Sequence, residues 1–392
     1  MTSFPVNALN SPPIASISVE IVRAVGRRSV PLKNMCSAKW AMPFDSGVSY
    51  RDPAASMTKH DTDPTCGNGA VTTRTPLPSV VFSKIATARD GIDRPQMPGQ
   101  LTRQAIAAQP DWLRQVPERV GDLRLPDGAR ILFTGCGTSF HAALACGRAA
   151  QALEIVLGGA DEADVLVAIS HEGGTRLTLE AVRGFRGETW LITAAPESAL
   201  AKEVDHVVVA TPAIEESYCH TVSYTCAVAA GRALQGEDVS GLAADVFREL
   251  DVEPLGASDH DRFVVAGAGR DQATVLEAVL KLREGARVAA EAHHTEQLLH
   301  GHLAAIEPSV RCIVLEGEGR AAERAVDAMR ALGELGCEAL LVPTTHPVVD
   351  IVRFQLLTCD LAETRGIDPD MIRWDEDPWN RARQAQEFTA EE

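Results

Sequence analysis

Lysine is scarce in this chain of 392 residues: Lys33, Lys39, Lys59, Lys84, Lys202 and Lys281 are the full set, and none follows Lys281. The formal charge is −17. That balance argues against a nucleic-acid partner, because phosphate backbones call for clustered Lys and Arg. Aromatic residues supply 5% of the chain and hydrophobic residues 45%, so a core must be built mainly from Ala, Val, Leu and Ile. The nine cysteines include no CxxC pair. Most sit in apolar runs, such as Cys312 in RCIVLEG and Cys359 in QLLTCDL, which argues against a zinc site or disulfide framework and for a reducing, cytoplasmic setting. No apolar run approaches the roughly 20 residues of a membrane span, so no membrane association is expected.

What is present falls into two styles. Residues 1–96 are rich in Pro, Ser and Thr and lack sustained periodicity, which reads as a disordered extension. Its opening, with Arg23, Arg27 and Arg28 and few acids, is similar in composition to an organelle transit peptide; a mis-assigned start is the alternative, since Met97 opens the first segment with a folded pattern. From residue 97 onward, MPGQLTRQAIAAQPDWLRQV reads as an amphipathic helix interrupted at Pro110. Strands and helices then alternate. The runs ARILFTG, DVLVAIS, TWLITAA and HVVVATP read as strands. TSFHAALACGRAAQALE, GTRLTLEAVRGF and SYTCAVAAGRALQG read as helices. The second half repeats the theme with RFVVAGAG, SVRCIVLEG and CEALLVPT as strands, and a strongly apolar last helix covers 348–365. Alternation of this kind specifies an α/β fold with parallel sheets covered by helices. The two similar halves suggest duplication, with domains at 97–245 and 246–392.

Two strand-to-helix turns carry candidate chemistry. In GCGTSFHAA (135–143) two glycines end a strand, and Thr138 and Ser139 open a helix, where free N–H groups and partial positive charge accept anions. An ordinary turn with Thr138 or Ser139 as N-cap explains the same residues. A dinucleotide fingerprint is broken, because Phe140 stands where its third glycine belongs. In SHEGGT (170–175) Gly173 and Gly174 allow close approach of a ligand, and Ser170 and Thr175 add hydroxyls beside His171. By strand order the two turns lie together at the carboxyl ends of the sheet, where open α/β sheets bind ligands.

These paired turns, together with EESYCHTVSYT (215–225), LEAVLKLREGARVAAEAHHTEQLLHGHLAAIEP (276–308) and GIDPD (366–370), resemble the sugar isomerase (SIS) domain family, and most closely the isomerase half of glucosamine-6-phosphate synthase without its glutaminase domain. The resemblance runs from about residue 97 to about residue 375. It implies two tandem SIS domains, each a parallel sheet flanked by helices in a three-layer αβα arrangement. It implies a sugar phosphate or amino sugar as ligand, held by Thr138, Ser139, Ser170 and Thr175 with His171 beside them. It assigns Glu284 as the enolisation base and His300 as the ring-opening group, the latter reaching the site from the partner in a homodimer. Glu277, Lys281 and Glu284 fall at i, i+4 and i+7 on one helix face; Lys281 would stabilise an enediolate and Glu277 would line the substrate site. Glu277–Lys281 also reads as an ordinary helical ion pair.

The chain departs from the family in three places. Glu172 replaces a serine of the phosphate loop, and a carboxylate there repels a phosphate dianion unless it is turned away or protonated. Val222 replaces a lysine, and the tail lysine that forms a Schiff base is missing. His293, His294, His300 and His302 cluster in HHTEQLLHGH without an HExxH spacing, so no metal and no cofactor are expected. The reading is a phosphosugar isomerase or aminosugar-phosphate deaminase working by enediol proton transfer. The rival is a non-catalytic sugar-phosphate sensor, which would not need Glu284; a nicotinamide-dependent enzyme is the third.

Overall fold

The computed structural model describes residues 97–386; the extension, and every expectation placed on it, lies outside the described residues. Helices α1 (Gln100–Leu113) and α2 (Val116–Val120) lead into a first sheet. Its strands are β1 (Ile131–Gly135), β2 (Ala149–Gln151), β3 (Val165–Ile169), β4 (Glu188–Thr193) and β5 (His206–Val209), with α3 (Thr138–Cys146), α4 (Ala152–Gly158) and α5 (Arg176–Gly184) between them. Helices α6 (Val222–Leu234) and α7 (Leu242–Glu249) connect to a second sheet of β6 (Arg262–Gly267), β7 (Ala289–His294), β8 (Val310–Leu315) and β9 (Ala339–Val342), interleaved with α8 (Gln272–Gly285), α9 (Thr295–Leu299) and α10 (Arg320–Glu334). Helices α11 (Pro347–Asp350), α12 (Val352–Thr364) and α13 (Trp379–Arg383) follow.

Both sheets are parallel throughout, in the orders β2-β1-β3-β4-β5 and β7-β6-β8-β9. In the first, the chain leaves β1 for one neighbour and returns for the other, so a crevice opens at the carboxyl ends of β1 and β3. The two-residue period of the strands divides the core. Phe133, Val167, Trp190 and Ile192 of the first sheet and Phe263, Val265, Ile313 and Leu315 of the second point into one shared cluster, to which α3, α6, α8 and α12 contribute. The alternate residues Leu132, Leu166, Ala168 and Leu191 pack against α4 and α5. Val264, Ala266, Cys312 and Val314 do the same against α9 and α10. A single buried cluster thus joins the two halves, which fixes the first sheet's crevice against α8.

Several elements differ from the sequence expectation; the last helix expected over 348–365 is divided at Ile351 into α11 and α12, and α13 follows it. The helix read through residue 154 ends at Cys146, and Ala149–Gln151 forms the edge strand β2; an alanine-rich strand paired on one side carries no β-branched signature to reveal it. Helix α1 continues through Pro110 to Leu113. The proline cannot donate to the Ile106 carbonyl, and the Gln109 side-chain amide donates to it instead at 3.1 Å. Strand β7 emerges from the AAEAHH segment, whose polar residues conceal its pairing along β6.

Small residues bring α3 and α6 close. Twelve of the thirteen residues of α6 are buried, and a Cβ at Gly231 would stand 2.4 Å from the Cys146 sulfur. Gly231→Ala is therefore expected to cost about 1–3 kcal/mol of stability in urea denaturation through overpacking, although alanine is the better helix former. Adding Cys146→Ala should recover most of the loss.

Candidate active site

Each side chain of the candidate site is delivered by a strand end or a helix face at the first sheet's crevice. Gly135 ends β1 where a Cβ would lie 2.8 Å from the backbone of Ser139, so only glycine lets α3 begin so soon. Gly137, at φ 55°, is the N-cap, and no side chain caps the helix. Thr138 is thereby released from the capping role the sequence allowed it. Its hydroxyl donates to Glu277 Oε1 at 3.2 Å and accepts from Lys281 Nζ at 3.2 Å. Ser139 is half-buried in the same first turn.

On α8 the helical spacing stacks Glu277, Lys281 and Glu284 against that turn. Glu277 is fully buried and takes a second bond from His141 Nδ1 at 2.8 Å. Lys281 is equally buried. Its ammonium donates to Glu284 Oε2 at 2.8 Å, lies 3.5 Å from Glu277 Oε1, and donates to the Cys219 carbonyl at the end of the loop after β5. Burial pulls the Lys281 pKa down, but the carboxylates of Glu284 and Glu277 outweigh it and hold the value raised, so the ammonium stays charged. Glu284 keeps a quarter of its side chain exposed. Burial raises its pKa against the opposing pull of Lys281, which moves this carboxylate toward the range useful to a general base.

The second turn follows β3. Ser170 is buried, and its hydroxyl lies 3.3 Å from that of Thr175, the exposed N-cap of α5, which makes no capping bond of its own. Gly173, at φ 65°, is packed so tightly that a Cβ would stand 2.0 Å from the Ser198 hydroxyl. Glu172 is exposed on this turn. His171 accepts from the Glu215 backbone N–H at Nε2, 2.9 Å away.

The structure therefore brings Thr138, Glu277, Lys281 and Glu284 into one bonded group and sets Ser170, His171 and Thr175 on the neighbouring strand end. His300 is not part of that group within one chain: its side chain is 71% exposed and pairs with Glu296 at 2.8 Å. His141 and the buried Glu215 were not singled out from the sequence. The i, i+3 relation of Thr138 and His141 on α3, facing Glu277, was the available signal for the first. Among the described residues, no group of three or more His, Cys, Asp and Glu is arranged to hold a metal ion.

No protein-family model matches the sequence. Its sequence relatives include glutamine–fructose-6-phosphate aminotransferases. That of Aeropyrum pernix is 30% identical over 307 residues, 62% of this chain and 50% of the relative. That of Methanothermobacter thermautotrophicus is 26% identical over 312 residues, 66% of this chain and 52% of the relative. This chain is a homologue of those enzymes. It spans about half the length of the curated relatives it matches. The C-terminal domain of the Francisella tularensis aminotransferase shares the fold at a TM-score of 0.59 and 19% identity, over 71% of this chain and 99% of that one. So does tagatose-6-phosphate ketose/aldose isomerase of Escherichia coli, at 0.58 and 18%, over 70% and 97%. Glucosamine-6-phosphate deaminase of Thermotoga maritima follows at 0.56 and 22%, over 69% and 97%. The chain shares its fold with these three structures.

Removing the lysine leaves Glu277 buried with only Thr138 and His141 as partners. Lys281→Met should cost about 3–5 kcal/mol in urea denaturation, because Glu277 keeps its burial but loses its counter-charge. The double variant Lys281→Met, Glu277→Leu should regain a large part. A single variant as stable as the parent would mean the ammonium is not what compensates Glu277.

Proposed function

We propose that this homologue is a phosphosugar isomerase or aminosugar-phosphate deaminase, built as two tandem SIS domains at 97–245 and 246–392 and working in the cytoplasm. The observation that carries the reading is the Lys281 ammonium, which bridges the Thr138 turn and Glu284. A ligand lying in the crevice would thus have its anionic end at hydroxyls and helix N-termini and its carbonyl end at a carboxylate.

In this reading Thr138, Ser139, Ser170 and Thr175 hold the phosphate, with the first-turn N–H groups of α3 and α5 adding partial positive charge. His171 stands beside them. Glu284 takes the proton from C2 of the open aldose and returns it to C1 of the enediol, while one proton passes from O2 to O1, so the carbonyl moves from C1 to C2 without net loss of atoms. The charge on the enediolate oxygen is met by Lys281, whose position Glu277 fixes. On a 2-amino sugar the same transfer gives a ketimine, and water adds to release ammonia and the ketose phosphate. His300, exposed and paired with Glu296 in its own chain, would open the sugar ring in a second copy of a homodimer.

The test is interconversion of hexose phosphates and release of ammonia from glucosamine 6-phosphate by purified protein. Glu284→Gln should lower turnover by about 10²–10⁴-fold with KM little changed. In the parent the acid limb of kcat/KM should lie above the 4.5 of an ordinary glutamate, because burial raises this carboxyl. Activity should therefore be present above that value and fall as the pH drops through it. Ligand binding without turnover in the parent protein, and cellular function left intact by Glu284→Gln, would favour a sensor over a catalyst; full turnover in Glu284→Gln would remove Glu284 as the base.

A further inference from the structure

The loop between β5 and α6 touches both ends of the crevice. Its anchor is Glu215, which is 2% exposed. One carboxylate oxygen accepts from the Thr221 N–H at 2.7 Å and hydroxyl at 2.9 Å; the other accepts from the Ser223 N–H at 2.9 Å and hydroxyl at 2.6 Å. These four bonds fold the backbone of 215–223 into a closed turn at the start of α6. The turn forces His220 to φ 41°, a conformation a non-glycine residue holds only when its surroundings impose it. The His220 ring meets the His171 ring edge-on at 5.4 Å.

Two further bonds leave this turn in opposite directions. The Glu215 N–H donates to His171 Nε2 in the β3 turn at 2.9 Å. An imidazole nitrogen that accepts an amide hydrogen bond carries no proton, so the proton of a neutral His171 ring sits on Nδ1. At the other end the Cys219 carbonyl accepts from Lys281 Nζ. The path from the β3 turn to the ammonium therefore runs His171, Glu215, Cys219, Lys281, all within hydrogen-bond contact or one rigid turn.

We infer that His171 and Glu215 are positioning residues that hold the 215–223 turn so that the Cys219 carbonyl orients the Lys281 ammonium toward Thr138 and Glu284. This assignment rests on the proposed reaction for its consequence, since Lys281 and Glu284 are the groups placed at the carbonyl end of the sugar. It changes the meaning of His171: the ring acts on the reacting end through the turn rather than by its neighbourhood to the phosphate. The chemistry it demands at residue 171 is an acceptor at the reach of Nε2, and not an imidazole as such.

The test needs no substrate, so its failure is separable from failure of the isomerase reading. The full chain is labelled with ¹⁵N at lysine Nζ, and the Lys281 signal, assigned through Lys281→Arg, is followed by NMR. In the parent protein the buried ammonium should exchange slowly with solvent. His171→Leu should speed that exchange at least tenfold and shift the signal, and His171→Gln, whose amide oxygen can accept from the Glu215 N–H, should restore both. Glu215→Gln, which weakens the turn without altering His171, should reproduce the loss and serves where His171→Leu does not fold. A folded His171→Leu or Glu215→Gln protein with the parent's Lys281 signal would overturn the inference.

Discussion

A charged ammonium sealed from water is the constraint on which this site turns. Lys281 has no exposed surface, and an ion so placed persists only if protein oxygens replace its hydration. Those oxygens come from three separate parts of the chain: Thr138 at the start of α3, Cys219 in the loop after β5, and Glu277 and Glu284 on α8. Shifting any of them leaves a buried charge unsatisfied. The lysine thus specifies a geometry, and the geometry is the alignment of the first sheet's crevice with the carboxylates of the second half.

The rest of the fold reads as support for that alignment. The shared core cluster presses α3, α6 and α8 together, and the small residues of α6 let them approach. Gly135 and Gly173 permit turns too tight for a side chain. The GIDPD segment closes the arrangement from the far end of the chain. Asp368 accepts from the Gly99 N–H, and Asp370 from the Leu101 and Thr102 N–H groups. These carboxylates occupy the positive end of α1, which has no acid of its own in its first turn. Thr102 in turn meets Ser217 at 2.8 Å, two residues before the carbonyl that holds Lys281.

Much of this was legible in the sequence, and the parts that were not share a cause. The strand in DVLVAIS is a continuous apolar run, as expected of a strand buried on both faces. The Glu277, Lys281, Glu284 spacing placed all three on one helix face. Local pattern could not show where the free end of each side chain goes. Thr138 has the composition of an N-cap, yet its hydroxyl bonds to residues 139 and 143 positions away. Glu215 looks like one acid among several in EESYCH, and only its four bonds distinguish it from Glu216. Strand β2 and the passage of α1 through Pro110 were missed because tertiary pairing and a side-chain amide supplied what local propensity withheld.

A crystal structure of the protein with fructose 6-phosphate would show whether one ligand spans from the hydroxyl turns to Glu284. The phosphorus is expected between the 135–139 and 170–175 turns, and the C1–C2 end of the sugar within about 3 Å of the Glu284 carboxylate. A sugar bound away from the β1–β3 crevice, or lying with its phosphate toward Glu284, would contradict this placement.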